Sequence, residues 1–343
     1  MRRKYPKLLS ILLSISVFLI QCNTSEDRNQ YDISKISNPL PTIRLEQELY
    51  QIPINQTKEG MMALQAKYPD LMDYYITAVM NIQDTTADQT EMLNIMDELI
   101  HHPFMVNMYD TIQSVYKDFS AYEKELHLAI KNYQYYFPKS PSVQLVTFTA
   151  GIGPRNFYDP PYLGVGLDLY LGKDYPYYPS QGLPDFLIQR FIPKYIATDA
   201  AVSLATGEIV DPLKRGSQLL DMMVYYGKLY YISSYFLPKR PIEDFFSYTS
   251  EEWEWCEVNK KEIWSFFIDG EWLYAKQFMD YRKFIEDGPT TMGMPQGAPD
   301  RVGRWVGYQI VKKYMKEKPN TTFEELINLE SGQEILTASK YKP

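Results

Sequence analysis

Few residues in this chain are of a type that does chemistry, and their placement narrows what they could do. Zinc needs three or four ligands drawn from Cys, His, Asp and Glu. The histidines are His101, His102 and His127, all in the N-terminal helical part. His101 and His102 are adjacent and point apart on a helix, so they read as surface or capping residues. No Gly-x-Ser-x-Gly nucleophile elbow occurs, and no sequence feature brings a serine to a histidine and an acid. Carboxylates remain: Asp168, Asp174, Asp199 and Glu208 flank the central region, and two of them could work as an acid–base pair. With 43 acids in the chain, chance proximity is the simpler reading. The expectation is no catalytic residue, no metal and no cofactor.

Asp168 has the most unusual setting. Tyr162 to Gly172 is predicted to be a strand in which Val165, Leu167, Leu169 and Leu171 alternate on one face. Gly164, Gly166, Asp168 and Tyr170 fall on the other, and two glycines beside an acid let a second backbone come close. The Gly-x-Gly here is not a dinucleotide fingerprint, because no further glycine and helix start follow. A buried Asp168 bonded to backbone would be structural. In an open pocket, with the tyrosines around it, it would suit a glycan or peptide binder or a hydrolase.

The elements that must position these residues centre on Gly182 to Pro238, predicted as two consecutive helices. The first follows Pro184, whose missing N–H is harmless in a first turn. Leu187, Phe191, Tyr195, Thr198 and Val202 share one of its faces. Ser217 is the expected cap of the second, which carries Leu219, Leu220, Met223, Tyr226 and Tyr230. Upstream, Thr42–Tyr50 reads as a short strand or helical turn and Thr57–Phe137 as helices. Pro69 breaks that run, Thr86 caps a helix bearing Met92, Ile95, Met96 and Leu99, and Pro103 opens the next. Val143–Thr149 is β-rich. Downstream, Trp253–Ala275 reads as helix, Asp287–Asp300 as loop and Arg301–Met315 as a helix. Gly303 and Gly307 give that helix a small-residue face for close packing. Thr322 caps a last helix.

Composition fits a globular chain of 343 residues, 45% hydrophobic and 23% charged. The formal charge of −8 becomes −12 once residues 1–21, with four basic residues and no acid, are removed. So acidic a chain is a poor nucleic-acid binder. The 30 tyrosines suit half-buried packing, or a stacking platform for a sugar or peptide. Arg2, Arg3, Lys4 and Lys7 precede a 13-residue apolar run, Leu8–Ile20, too short to span a bilayer comfortably. Leu19-Ile20-Gln21-Cys22 resembles a lipobox, with Gln21 where a small residue is usual. Cys22 is the expected acylation site, 1–21 a lipoprotein signal peptide, and 22–41 a flexible tether. Cys256 then has no disulfide partner and reads as a small buried hydrophobe. The folded part is expected outside the cytoplasm on a membrane surface, at either membrane of the envelope.

Several stretches together resemble GldB, a lipoprotein family of bacterial gliding motility. They are Gly166-Leu-Asp-Leu-Tyr-Leu-Gly-Lys-Asp-Tyr-Pro-Tyr-Tyr-Pro179, Gly227-Lys-Leu-Tyr-Tyr231, Trp255-Cys-Glu-Val-Asn-Lys-Lys-Glu-Ile-Trp264, Asp300-Arg-Val-Gly-Arg-Trp-Val-Gly-Tyr-Gln-Ile-Val311 and Ser339-Lys-Tyr-Lys-Pro343. That family in turn looks distantly similar to zincin-type peptidases, which place an HExxH helix and a later ligand in the order strand, helix, loop, helix. On that likeness Thr198, Asp199 and Val202 stand at HExxH positions, and the later Glu would fall near Tyr225 or Tyr226. None of these can replace the ligands. The fold the resemblance implies is helix-rich α+β, a degenerate zincin-like domain with a small sheet, running as one unit over 42–343. It comprises a helical part 57–137, a strand–helix core 143–238 and C-terminal helices 252–343. The implied role is a non-enzymatic component of gliding, working with other gliding-motility and secretion-system envelope proteins and with the bilayer through Cys22. Its groove would be lined by Asp168, Tyr170, Thr198, Asp199, Tyr225 and Tyr226, with Tyr177 and Tyr178 as an exposed contact loop.

Overall fold

The computed structural model describes residues 32–82, 89–212 and 218–343. The signal segment, Cys22 and the expected caps Thr86 and Ser217 lie outside the described residues.

The strands are β1 (Ile43–Arg44), β2 (Gln144–Phe148), β3 (Asn156–Asp159) and β4 (Tyr162–Gly166). They form one sheet in the order β1-β2-β4-β3. β2 runs parallel to β1 and to β4, with Val146 opposite Gly164, while β3 is an antiparallel edge strand. The described helices of eight residues or more come in two groups. The first is α1 (Thr57–Lys67), α2 (Gln89–His101), α3 (Pro103–Val115) and α4 (Ser120–Tyr136). The second is α5 (Ile196–Thr206), α6 (Leu219–Phe236), α7 (Ser250–Val258), α8 (Lys260–Asp269), α9 (Val302–Glu317) and α10 (Gly332–Ser339). The helix-rich α+β expectation holds.

Alternation in the strands feeds two cores, one on each side of the sheet. Leu145, Leu163 and Val165 join the larger core with α4, α5, α6 and α9. Val146, Phe148 and Phe157 join a smaller one with Leu49, Met61, Leu71 and Met96 from the N-terminal helices. Tyrosine hydroxyls tie buried backbone together. Tyr75 donates to the Thr149 carbonyl at 2.7 Å, Tyr178 to that of Asp168 at 2.7 Å and Tyr116 to that of Tyr170 at 2.5 Å. Each ring fills apolar space while its hydroxyl satisfies a carbonyl that water cannot reach. Cys256 is buried, as expected of a small hydrophobe.

The closest crossing joins α6 to α9, backbone against backbone. A Cβ on Gly227 would sit 2.2 Å from the Gly307 carbonyl oxygen, and one on Gly307 would sit 1.6 Å from that of Met223. The small-residue face on 301–315 is therefore a helix contact, and only glycine fits there.

Four expected elements differ. The strand from Tyr162 stops at Gly166, because residues 167–169 turn into a 3₁₀ coil closed by the Tyr170 N–H on the Leu167 carbonyl. The helix after Pro184 breaks into a short turn, Asp185–Ile188, and α5. Pro193 forces the break by holding Ile192 extended. The Trp253–Ala275 helix is interrupted at Asn259 and Gly270. Thr322 does cap a helix, in a reciprocal box with Glu325, but that helix covers only Phe323–Asn328 and α10 follows.

Candidate functional site

Asp168 is fully buried. Its Oδ2 accepts the N–H of Ile152 at 2.7 Å and of Ala150 at 3.3 Å. Burial nonetheless pushes its carboxyl up to about 6. The bonds explain the residue's place. Gly151 and Ile152 both have φ near +70°, a left-handed conformation that costs a β-branched residue about 1 kcal/mol or more. Asp168 clamps this turn, which leads through Pro154 to Arg155 and into β3. The close backbone approach expected beside the glycines is found at Gly166, whose N–H donates to the Arg155 carbonyl at 2.7 Å. Asp168 therefore does not line an open groove.

Two more candidates prove structural. Thr198 is buried, and its hydroxyl donates to the carbonyls of Tyr195 and Asp244, both at 3.2 Å. Tyr178 is fully buried against Tyr175 and Phe191, so it is not part of an exposed loop contact. Tyr177 is half-buried, its ring edge-on to Phe104 at 5.3 Å.

Tyr170 and Asp199 do come together, on a polar cleft. The Tyr170 hydroxyl donates to Asp199 Oδ2 at 2.9 Å and accepts from Asn156 Nδ2 at 2.8 Å. Arg155 Nη2 also donates to Asp199 Oδ2, and Ser247 Oγ to Oδ1 at 3.4 Å. Burial raises the Asp199 carboxyl above its ordinary range, and the Arg155 guanidinium opposes that rise.

The cleft holds about 290 Å³, near the lower end of small-ligand pockets. One wall is Arg155 and Asn156 at the start of β3. A second is Asp199, Val202 and Ser203 on α5. Tyr230 of α6, Phe245, Ser247, Asp287, and Arg301 and Arg304 at the start of α9 complete it. Arg301 and Asp300 are held by a buried network. Arg190 bridges Asp287 at 2.9 Å and Asp300 at 2.6 Å, and Arg301 Nε meets the same two carboxylates at 3.3 and 3.1 Å. Burial disfavours the Asp300 carboxylate, but Arg301 and Arg190 hold its carboxyl below the usual range. Arg304 is different. It donates from Nε to the Ile285 carbonyl and from Nη1 to the Tyr230 hydroxyl at 3.2 Å, and it lies 4.1 Å over the Tyr226 ring. It makes no ion pair with any described carboxylate. Tyr226 thus reaches the cleft through Arg304, whereas Tyr225 faces a separate cavity of about 390 Å³ beside Lys228.

The sequence reading missed Arg155, Asn156, Ser247, Arg301 and Arg304. One local signal was available: Arg301 and Arg304 stand three apart at a helix start, and so share a face. Among the described residues no group of three or more His, Cys, Asp or Glu side chains gathers as a metal site. The arrangement suits recognition of a negative group, because guanidiniums line the cleft and its acids are already engaged.

A family model described as gliding motility protein GldB matches residues 26–343. No curated protein and no solved structure matches the chain, so the likeness to zincin-type peptidases finds no support there.

Proposed function

The chain belongs to the gliding motility protein GldB family, and from that premise we propose a lipid-anchored, non-enzymatic component of the gliding machinery that holds part of another envelope protein in the arginine-lined cleft. In this reading residues 42–343 act as one folded unit on the 22–41 tether, with Cys22 acylated. Among the described residues no helix is long and apolar enough to cross a membrane, which accords with attachment by lipid. In the same reading this cleft would be the degenerate peptidase groove that the resemblance implied.

One observation carries the reading. Asp199, the only acid standing at an HExxH position on the zincin likeness, gives Oδ2 to both Arg155 and Tyr170. A carboxylate so engaged is poorly placed to take a proton from water, and the cleft also presents the guanidiniums of Arg155, Arg301 and Arg304. The alternative, a hydrolase or glycan site on Asp168, gains nothing from a carboxyl buried against the 150–152 turn.

The test is gliding itself. Arg155→Gln is expected to stop colony spreading while protein abundance and envelope localisation stay normal, and to remove a partner that co-purifies with the wild type. Normal spreading with unchanged co-purification would refute the cleft's role. Elemental analysis of the full chain, purified without chelators, is expected to find no stoichiometric zinc, and a stoichiometric metal would reopen catalysis.

A further inference from the structure

The geometry points to the occupant's chemistry: we infer that the cleft binds an extended peptide segment that pairs with the free edge of β3 and places a carboxylate against Arg304 and Arg155. The inference rests on the proposal that the cleft holds part of another protein, and it names what that part must present.

The first observation is charge. The chain carries 43 acids against 35 basic side chains, yet the cleft collects Arg155, Arg301 and Arg304 against Asp199 and Asp287. Arg155 and Arg301 are paired with carboxylates, but Arg304 is not. Its Nε and Nη1 are used by neutral oxygens, and no described group accepts from Nη2. A half-buried guanidinium without a carboxylate, stacked on one tyrosine and braced by another, is preorganised for a planar anion. A carboxylate matches its two-pronged geometry.

The second observation is backbone. β3 is the sheet's outer strand, and among the described residues no strand pairs with its far side. Gly166 donates to the Arg155 carbonyl, and Phe157 lies opposite Gly164 in the register. Antiparallel pairing alternates, so residues 155, 157 and 159 bond to β4. The N–H and C=O groups of Asn156 and Tyr158 then point to the open edge. Such an edge is a template for an added strand. Arg155 sits at its beginning. A peptide laid along Asn156 to Tyr158 would therefore end or turn at the guanidiniums. A free anion would use only the arginines, and a sugar would use neither the strand edge nor the fixed charge so fully.

The experiment uses the full chain in detergent micelles and a library of random octapeptides, synthesised with free C-termini, as C-terminal amides, and without Asp or Glu. Affinity enrichment is read by mass spectrometry, followed by fluorescence polarisation on enriched peptides. Free-carboxylate or acidic peptides are expected to be enriched, and blocking the carboxylate should weaken binding about tenfold or more, the loss of one charged hydrogen bond. Arg304→Gln should do the same, with Arg304→Lys intermediate. Asp199→Asn, which releases Arg155, should tighten binding. N-methylation of alternate peptide residues should weaken binding at one parity only, as strand pairing requires. Equal enrichment by wild type and Arg304→Gln, or indifference to the carboxylate, would overturn the inference. Full displacement of the peptides by inorganic phosphate at equal affinity would leave an anion site and overturn peptide recognition. If Arg304→Gln still glides and keeps its partner while Arg155→Gln does not, this inference fails and the broader cleft reading stands.

Discussion

Replacing Gly307 by alanine sets two effects of opposite sign against each other. In a helix interior, alanine is favoured over glycine by about 1 kcal/mol, so on propensity alone the change would stabilise α9. The fold reverses that. The added Cβ would lie 1.6 Å from the Met223 carbonyl oxygen and 2.3 Å from its carbon, where ordinary contact begins at 3.4 Å. Both obstacles are backbone, so no rotamer change relieves them, and the α6–α9 crossing must open by nearly 2 Å. Overpacking of well-packed contacts costs about 1–3 kcal/mol, and rigid backbone places this case at or above the upper figure. The net expectation is a loss of about 2 kcal/mol or more, roughly 4 °C or more in Tm. Thermal and urea unfolding followed by circular dichroism measure it. Gly288→Ala is the companion, since its Cβ would meet nothing nearer than the Thr290 carbonyl oxygen at 3.5 Å, and it should change stability by less than about 0.5 kcal/mol. Arg304 lies one turn from Gly307, so opening the crossing also pulls its guanidinium from Tyr226 and Tyr230, and carboxylate binding should fall with stability. A Gly307→Ala protein as stable as the wild type would refute the reasoning.

Asp168 predicts a pH effect. Its folded value is about 6 against an ordinary 3.8, so the folded state holds this proton more tightly than the unfolded chain. Its contribution is greatest at low pH and is lost as pH rises through 6, by about 3 kcal/mol in all. Relative to Asp168→Asn, the wild type should therefore gain stability as pH falls from 7 to 4 in urea titrations, and a constant difference would show that Asp168 does not titrate there. Cys22→Ser should abolish incorporation of labelled palmitate and leave an unprocessed precursor, seen as a larger species on gels. Label retained in the variant would place the lipid elsewhere.

Local signals carried much of the fold and little of the cleft. Pro103 at a helix start, Thr322 as a cap and the Gly303/Gly307 face are each set by residues within one turn, and each is found as read, although the helix that Thr322 caps is not the last. The strand from Tyr162 was overextended because what ends it is remote: the Asp168 carboxylate takes N–H groups from Ala150 and Ile152, and alternation in 162–171 cannot encode that. Pro193 was a legible break, since it restricts Ile192, and the apolar pattern running across it misled. Tyr178 was misplaced because a tyrosine in a polar run looks exposed. In the structure its hydroxyl spends its bonds on the Asp168 carbonyl and the Leu171 N–H. The cleft gathers residues 155, 199, 247 and 301–304 from separate segments, and only the Arg301–Arg304 spacing is visible along the chain.

Asp168 and Asp199 answer differently the question of what a buried acid is for. Asp168 has no arginine partner among the described residues, and its oxygen is bonded to backbone N–H groups of a turn that would otherwise resist its own φ angles. Its effect travels along the chain: the turn it fixes delivers Arg155 and Asn156 to the edge of the sheet. Asp199 meets that delivery from α5, orienting Arg155 and Tyr170 at the cleft wall. Removing Asp168 would loosen the wall without touching any ligand, whereas Asp199→Asn would keep the wall and free a charge. A binding assay therefore separates them. Loss of affinity with loss of stability marks the positioning acid, and gain of affinity at little cost in stability marks the one that competes with the ligand for Arg155.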